Sequence, residues 1–229
     1  MNESLAVEQL QFAWTHQAPI LSIQSLRVLQ GEKVFLQGAS GSGKTTLLGL
    51  IGGVLQPQQG EVRVLEQRLQ NFSQARRDAF RVAHIGFVFQ LFNLLPYLSV
   101  LDNVLLPCRF SLARRQRIKA KGSTAQSEAE RLLQHLQLEP ALYQRPVTAL
   151  SVGQQQRVAV ARALIGQPEL LIADEPTSAL DTDTRDAFLS LLLQECQDNC
   201  TTVIFVSHDA ALAKHFERRI NLADINQHP

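Results

Sequence analysis

The chain has 229 residues, 45% of them hydrophobic, enough to bury a substantial core as one large domain or as a domain with a subdomain. Lys and Arg number 22 against 21 Asp and Glu, a formal charge of +1, so bulk electrostatics nominates neither nucleic acid nor an anionic membrane as a partner. The start Met1-Asn2-Glu3-Ser4 has no basic segment followed by an apolar one, and no apolar run approaches the roughly 18 residues of a membrane span. The expected location is the cytoplasm, with membrane contact made only through a partner. Cys196 and Cys200 could share a helix face at i, i+4, but with no further His or Cys beside them, and with Cys108 alone, the three read as core or surface thiols that suit a reducing compartment.

Strand-like alternation opens the chain, first over Leu5-Ala6-Val7 and Leu10 to Trp14, then over Ile20 to Leu29, ending at the turn Gln30-Gly31-Glu32. Val34-Phe35-Leu36 reads as a buried strand, followed by a Gly- and Ser-rich loop and a helix beginning Thr45-Thr46-Leu47-Leu48. Gly52, Gly53 and Pro57 break that helix, and Glu61 to Leu65 resumes as a strand. Ser73 is placed to cap a helix through Ala75 to Phe80, and Ile85 to Gln90 reads as a buried strand with a polar end. From Leu91 to about Val147 strand signals fade, prolines punctuate and a helical pattern runs from Glu128 to Leu136, so residues 91–147 read as a helical insertion. It carries a basic run (Arg109, Arg114, Arg115, Arg117, Lys119, Lys121), expected to be a solvated face or, failing that, a docking surface. Leu170 to Ala173, a helix from about Asp183 to Cys196, and Thr201 to Val206 restore the alternation of strand and helix. Polar residues at the strand ends place an active site along one rim of an α/β sheet.

Chemistry concentrates at those strand ends. Gly38-Ala39-Ser40-Gly41-Ser42-Gly43-Lys44-Thr45 fits the P-loop pattern, and the flanking strand and helix give it the right context. Its glycines let successive backbone N–H groups turn towards phosphate oxygens, and the helix dipole that starts at Thr45 and Thr46 points the same way. Lys44 can reach the β- and γ-phosphates and the Thr45 hydroxyl can ligate Mg²⁺. This stretch implies a bound nucleoside triphosphate. Asp174 and Glu175, at the end of an apolar strand, supply the complementary carboxylates. Asp174 is suited to hold Mg²⁺ through water, and Glu175 to orient or deprotonate the attacking water. Leu150-Ser151-Val152-Gly153-Gln154 offers a second anion-facing helix start. Because the P-loop already fills this chain's own phosphate site, the second start points to another nucleotide, and so to a head-to-tail dimer in which each subunit completes its neighbour's site.

Together these residues resemble the ATP-binding subunits of ABC transporters over essentially the whole chain. The P-loop, Gln90, the Leu150 to Gln154 signature, Asp174-Glu175, the loop Ser178-Ala179-Leu180-Asp181 and His208 occur in that family's order. The resemblance implies an α/β P-loop NTPase of ABC ATPase type, with a mixed-sheet core, an N-terminal antiparallel β subdomain and a helical insertion. It implies one ATP-binding domain over 1–229, with 1–90 and 148–229 as the catalytic core and 91–147 as the helical subdomain. It also implies that Trp14 stacks on adenine, with Phe12 as the rival. Gln90 touches Mg²⁺ and the lytic water, and Ser151, Gly153 and Gln154 meet the nucleotide of the opposite subunit. Asp181 communicates across the dimer, and His208 contacts the γ-phosphate. Val152 stands where the family has Gly; a β-branched residue there restricts the backbone, so the resemblance implies activity that survives in weakened form. Gly86 to Pro96 and Asp102 to Pro107 are similar to the branch that works with lipoprotein-releasing, macrolide-efflux and cell-division permeases. That implies ATP and Mg²⁺ as ligands, a homodimer when ATP is bound, a separate membrane permease as partner, and a place on the inner face of the cell membrane. A nucleotide-gated regulator without transport, and a soluble repair or translation ATPase, remain the alternatives.

Overall fold

The computed structural model describes residues 2–15, 18–177 and 182–227. The first elements are β1 (Glu3–Ala13), β2 (Pro19–Leu29), β3 (Lys33–Gln37), α1 (Lys44–Ile51), β4 (Gln59–Val64), β5 (Gln67–Arg68), α2 (Gln74–His84) and β6 (Ile85–Val88). There follow α3 (Val100–Phe110), α4 (Leu112–Ala120), α5 (Ala125–His135), α6 (Val152–Leu164), β7 (Leu170–Asp174), α7 (Thr182–Asp198), β8 (Thr202–Val206), β9 (Arg218–Asn221) and α8 (Leu222–Ile225). They pack as two compact units, one of Met1–Arg81 with Thr202–Pro229 and the other of Val82–Thr201.

In the first unit β1 lies between β2 and β4, antiparallel to both, so that Leu5 faces Val28 and Val64, and Val7 faces Leu26 and Val62. These side chains are all buried, each contributing on the order of 1.5–3 kcal/mol relative to exposure. The break in the alternation near Gln9 is physical: opposite β4 the register slips between Glu8 and Gln11, and Gln9 takes φ 49°. Charged residues pair across the same strands, Arg27 with Glu3 and Glu8, and Arg63 with Glu8 and Glu61. Such exposed pairs are worth about 0–1 kcal/mol each, so apolar burial decides the stability of this sheet.

The same unit holds β3 between β8 and β9, all parallel, with Lys33 to Leu36 in register with Val203 to Val206. Strands buried on both faces read as unbroken apolar runs, which is why Val34-Phe35-Leu36 and Thr202 to Val206 were legible without a period of two. Phe35, Phe205 and Phe216 form one ring cluster, with centroids 5.0–6.2 Å apart. The loop after β3 and the turn after β8 therefore leave neighbouring strand ends.

The second unit repeats the arrangement. β6 and β7 run parallel with Ile85 facing Leu170 and Val88 facing Ala173, so the residues after both strands also emerge side by side. The insertion is helical, and side-chain oxygens set its starts: Ser99 caps α3, Ser111 caps α4 and Thr124 caps α5. Fully buried Asn103 accepts from Leu95 N at 2.8 Å and donates to Leu95 O and Ser99 O at 3.1 and 3.0 Å, tying the segment that follows Gln90 to α3. Arg131 of α5 forms paired hydrogen bonds with Glu128 of its own helix and with Glu195 of α7, at 2.7–3.1 Å. Asn199 adds a further donor to Glu195 at 2.8 Å.

The basic run does not form a solvated face throughout. Arg114 is 1% exposed, and the guanidinium groups of both Arg114 and Arg117 turn inward to main-chain carbonyls. Residues on the other side of α4, Arg115 and Lys119 among them, are exposed as expected.

Candidate active site

The P-loop leaves β3 at Gln37 and closes on α1, whose N-cap is Gly43 at φ 99°. An L-side chain is strained at that φ, and a Cβ there would also come within 2.9 Å of Leu21 Cδ2. No side chain caps α1, and a helix N-terminus is the end that favours an anion. The Lys44 ammonium curls back over the loop and donates to Gly38 O and Ala39 O, both at 2.8 Å. Ser42 Oγ is buried and has no hydrogen-bond partner, an unpaired polar atom inside the cradle. A phosphate fits this chemistry: it supplies acceptors for the orphaned hydroxyl, the helix start and the ammonium. Thr46 is buried beneath the loop, whereas Ala39, Ser40 and Thr45 lie on its exposed side.

His208, after β8 in the same unit, is exposed on a short turn. That turn is pinned on either side, by Asp209 N donating to Ser207 Oγ at 3.1 Å and by Ala211 N donating to Asp209 Oδ1 at 2.9 Å. Because β8 and β3 are parallel neighbours, His208 and the P-loop leave the same edge of the sheet. Trp14 follows β1 with its ring 43% exposed and set edge-on to Phe12, at 5.2 Å between centroids. Phe12 is buried in the core, whereas Trp14 is partly exposed.

In the second unit, Asp174 is the last residue of β7, and Glu175 follows at φ 48°. A left-handed non-glycine residue is an uncommon and costly conformation of the kind that clusters at functional sites. Gln90 lies exposed two residues past β6, the strand paired with β7. The segment that continues from it carries two more left-handed residues, Phe92 and Asn93. Arg162 of α6 donates to both their carbonyls, at 2.6 Å for Asn93, and burial lowers its pKa to about 10. Nothing in the sequence pointed to Arg162, because its acceptors are backbone atoms some 70 positions away.

The second helix start is α6. Ser151 Oγ accepts from Gln154 N at 3.3 Å, and Gln154 Oε1 accepts from Ser151 N at 2.9 Å, a reciprocal capping box. The Ser151 hydroxyl keeps its own proton for donation outward. Val152, the first helical residue, stands 52% exposed beside it, and Gly153 follows. Asp181 and its loop neighbours Ser178 to Leu180 lie outside the described residues.

Comparisons with known proteins follow this geometry. The sequence profile of the family described as ABC transporter matches residues 21–178. The chain is 41% identical over 210 residues to the "Lipoprotein-releasing system ATP-binding protein LolD" of Syntrophotalea carbinolica, covering 92% of this chain and 89% of the relative. It is 40% identical over 209 residues to the "Macrolide export ATP-binding/permease protein MacB" of Rhodopirellula baltica, covering 91% of this chain but 30% of that longer protein. Among solved structures, the dimeric post-hydrolysis ATP-binding cassette MJ0796, bound to ADP and Pi, superposes with a TM-score of 0.83 at 34% identity, covering 95% of this chain and 93% of the other. With a family match over residues 21–178 and a LolD relative aligned over nine-tenths of both chains, the protein belongs to the ABC transporter family.

Proposed function

We propose that this chain is the ATP-hydrolysing subunit of an ABC transporter, and that two copies enclose two ATP molecules and drive a separate membrane permease. The observation that carries the reading is the pair of unlike helix starts. α1 has no side-chain cap, begins with a lysine and follows an orphaned hydroxyl, whereas α6 is capped by its own Ser151 with a proton left to donate. One suits the phosphates of the chain's own nucleotide, the other the γ-phosphate of a nucleotide held by a second copy.

In this reading Trp14 stacks on the base, and Gly38 to Thr46 wrap the phosphates while Lys44 releases the loop carbonyls to bind them. Thr45, Gln90 and Asp174 would hold Mg²⁺, which neutralises charge on the phosphate oxygens when bound. Glu175 orients a water in line with the γ-phosphate and accepts its proton. The water oxygen bonds to phosphorus, the bond to the β-phosphate oxygen breaks, and ADP leaves with that electron pair. His208 contacts the γ-phosphate, and Ser151, Gly153 and Gln154 of the second copy close the site and exclude water. Asp181 links the two sites.

No helix among the described residues is long and apolar enough to cross a membrane. The permease partner and a place on the inner membrane face therefore enter through the family, and relatives named for lipoprotein release and macrolide export support a permease of that class. The test is phosphate release from ATP by the purified chain with and without Mg²⁺. Release that stops with EDTA, and that falls by at least about a hundredfold in Lys44→Ala, supports the reading. Release that is absent, or indifferent to Lys44, contradicts it.

A further inference from the structure

Two arginines one turn apart on α4 make an arrangement that the proposed chemistry does not use. Arg114 Nε donates to Val82 O at 2.7 Å, its Nη2 to Ile85 O at 2.8 Å, and its Nη1 to Ala163 O at 3.1 Å and to Ile165 O. Arg117 Nε donates to Gly166 O at 2.7 Å, its Nη2 to Ala83 O, and its Nη1 to Glu169 Oε1 at 3.2 Å, an oxygen shared with His84 Nδ1. Burial alone would raise the Glu169 pKa, but the His84 hydrogen bond and the Arg117 charge leave it below the usual carboxylate value. Gly166, at φ 69°, runs so close to α4 that a Cβ there would lie 2.5 Å from Arg114 Cβ.

The acceptors fall into two segments only. Residues 82–85 lead directly into β6, and residues 163–169 join the end of α6 to β7. Carbonyls at a helix end lack intrahelical partners and sit at the negative end of its dipole, and one guanidinium can satisfy several of them in a fixed plane. Desolvating that cation is costly, as the lowering of the Arg114 pKa to about 10 by burial indicates. The clip therefore fixes the entry ends of two neighbouring parallel strands. Their exit ends carry Gln90 on one side and Asp174 and Glu175 on the other.

We propose that Arg114 and Arg117 are positioning residues for ATP hydrolysis: α4 holds the entry ends of β6 and β7 in register, and so sets where Gln90, Asp174 and Glu175 stand relative to one another. The inference rests on the roles given to those three residues above. β6 and β7 are only four and five residues long, so the held ends lie close to the ends that carry these groups, and a displacement of about 1 Å at a catalytic group costs up to ~100-fold in rate.

The test compares the native chain with Arg117→Met, Arg117→Lys and Arg114→Lys. Arg117 is the safer site because its side chain is 25% exposed. For each variant, kcat, KM for ATP, ADP affinity and amide hydrogen exchange over residues 38–51, 85–90 and 170–175 are measured well below the melting temperature. Expected in Arg117→Met is a kcat about tenfold lower with KM and ADP affinity within about twofold of native. Exchange should quicken over 85–90 and 170–175 but not over 38–51, and Arg117→Lys should recover part of the rate. A variant that melts earlier yet keeps native kcat overturns the inference, as does a general rise in exchange with KM and kcat altered together. If the native chain itself releases no phosphate, it is the proposed function that falls. If the native chain hydrolyses ATP and Arg117→Met matches it, only the clip falls. Should Arg114→Lys fail to fold, the Arg117 variants decide.

Discussion

Glu175→Gln should cut ATP turnover by about a hundredfold or more while ATP binding stays within a few-fold of native. The side chains have the same shape, so the left-handed backbone at residue 175 and the end of β7 keep their geometry. The amide cannot take a proton from water. Lys44 and the uncapped start of α1, which hold the phosphates on the proposed reading, are untouched. Binding energy is then retained without turnover, and a stable ATP-bound dimer should accumulate on size exclusion. Steady-state phosphate release at saturating ATP, with binding followed by a fluorescent analogue, checks both halves. Hydrolysis at the parental rate would remove Glu175 from the role of base and return the problem to His208.

The largest stability effect should come from Arg131→Met. Glu128 and Glu195 have side chains only 10% and 5% exposed, and Arg131 forms paired hydrogen bonds with each. Those bonds raise the Arg131 pKa further above its ordinary value, so the charge is present at every working pH. Removing it leaves two neighbouring carboxylates with less compensation, and because Arg131 itself is 46% exposed the cost is about 1–3 kcal/mol rather than the full buried-pair value. The loss should appear as a lower urea midpoint with an unchanged slope. Arg27→Met is the control, since Arg27 is 58% exposed and its pairs with Glu3 and Glu8 contribute about 1 kcal/mol at most. An Arg131→Met chain as stable as the control variant would show that solvent reaches the α5–α7 contact.

The P-loop was legible because its chemistry is local: glycines, Lys44 and Thr45 are contiguous, and the strand and helix on either side follow from apolar runs. Strands β3, β7 and β8 were legible for the same reason, since burial on both faces leaves unbroken hydrophobic stretches that stop at Gln37, Asp174 and Ser207. The preference for Trp14 over Phe12 rested on resemblance, and the alternation that made Phe12 as easily a core residue is matched by its burial. The arginines were not legible. A basic run reads as solvated because charge normally seeks water, and the acceptors of Arg114, Arg117 and Arg162 are main-chain carbonyls that no residue identity announces. Nor does sequence reveal that Ser151 and Gln154 satisfy each other, although Ser followed three residues later by Gln at a helix start is the pattern such a box requires. The bulge at Gln9 likewise depends on the register against β4, a long-range fact.

The central claim is that a complete hydrolytic site takes its P-loop from one copy and its signature from another. Mixing two inactive variants measures this directly: Lys44→Ala, which keeps its signature, and Ser151→Arg, which keeps its P-loop. Each alone should release almost no phosphate. After mixing in equal amounts, about half of the dimers pair unlike chains and carry one intact site, so activity should return to as much as about a quarter of native. A mixture as inactive as its components, with dimers of both variants demonstrated by mass, would contradict the shared site.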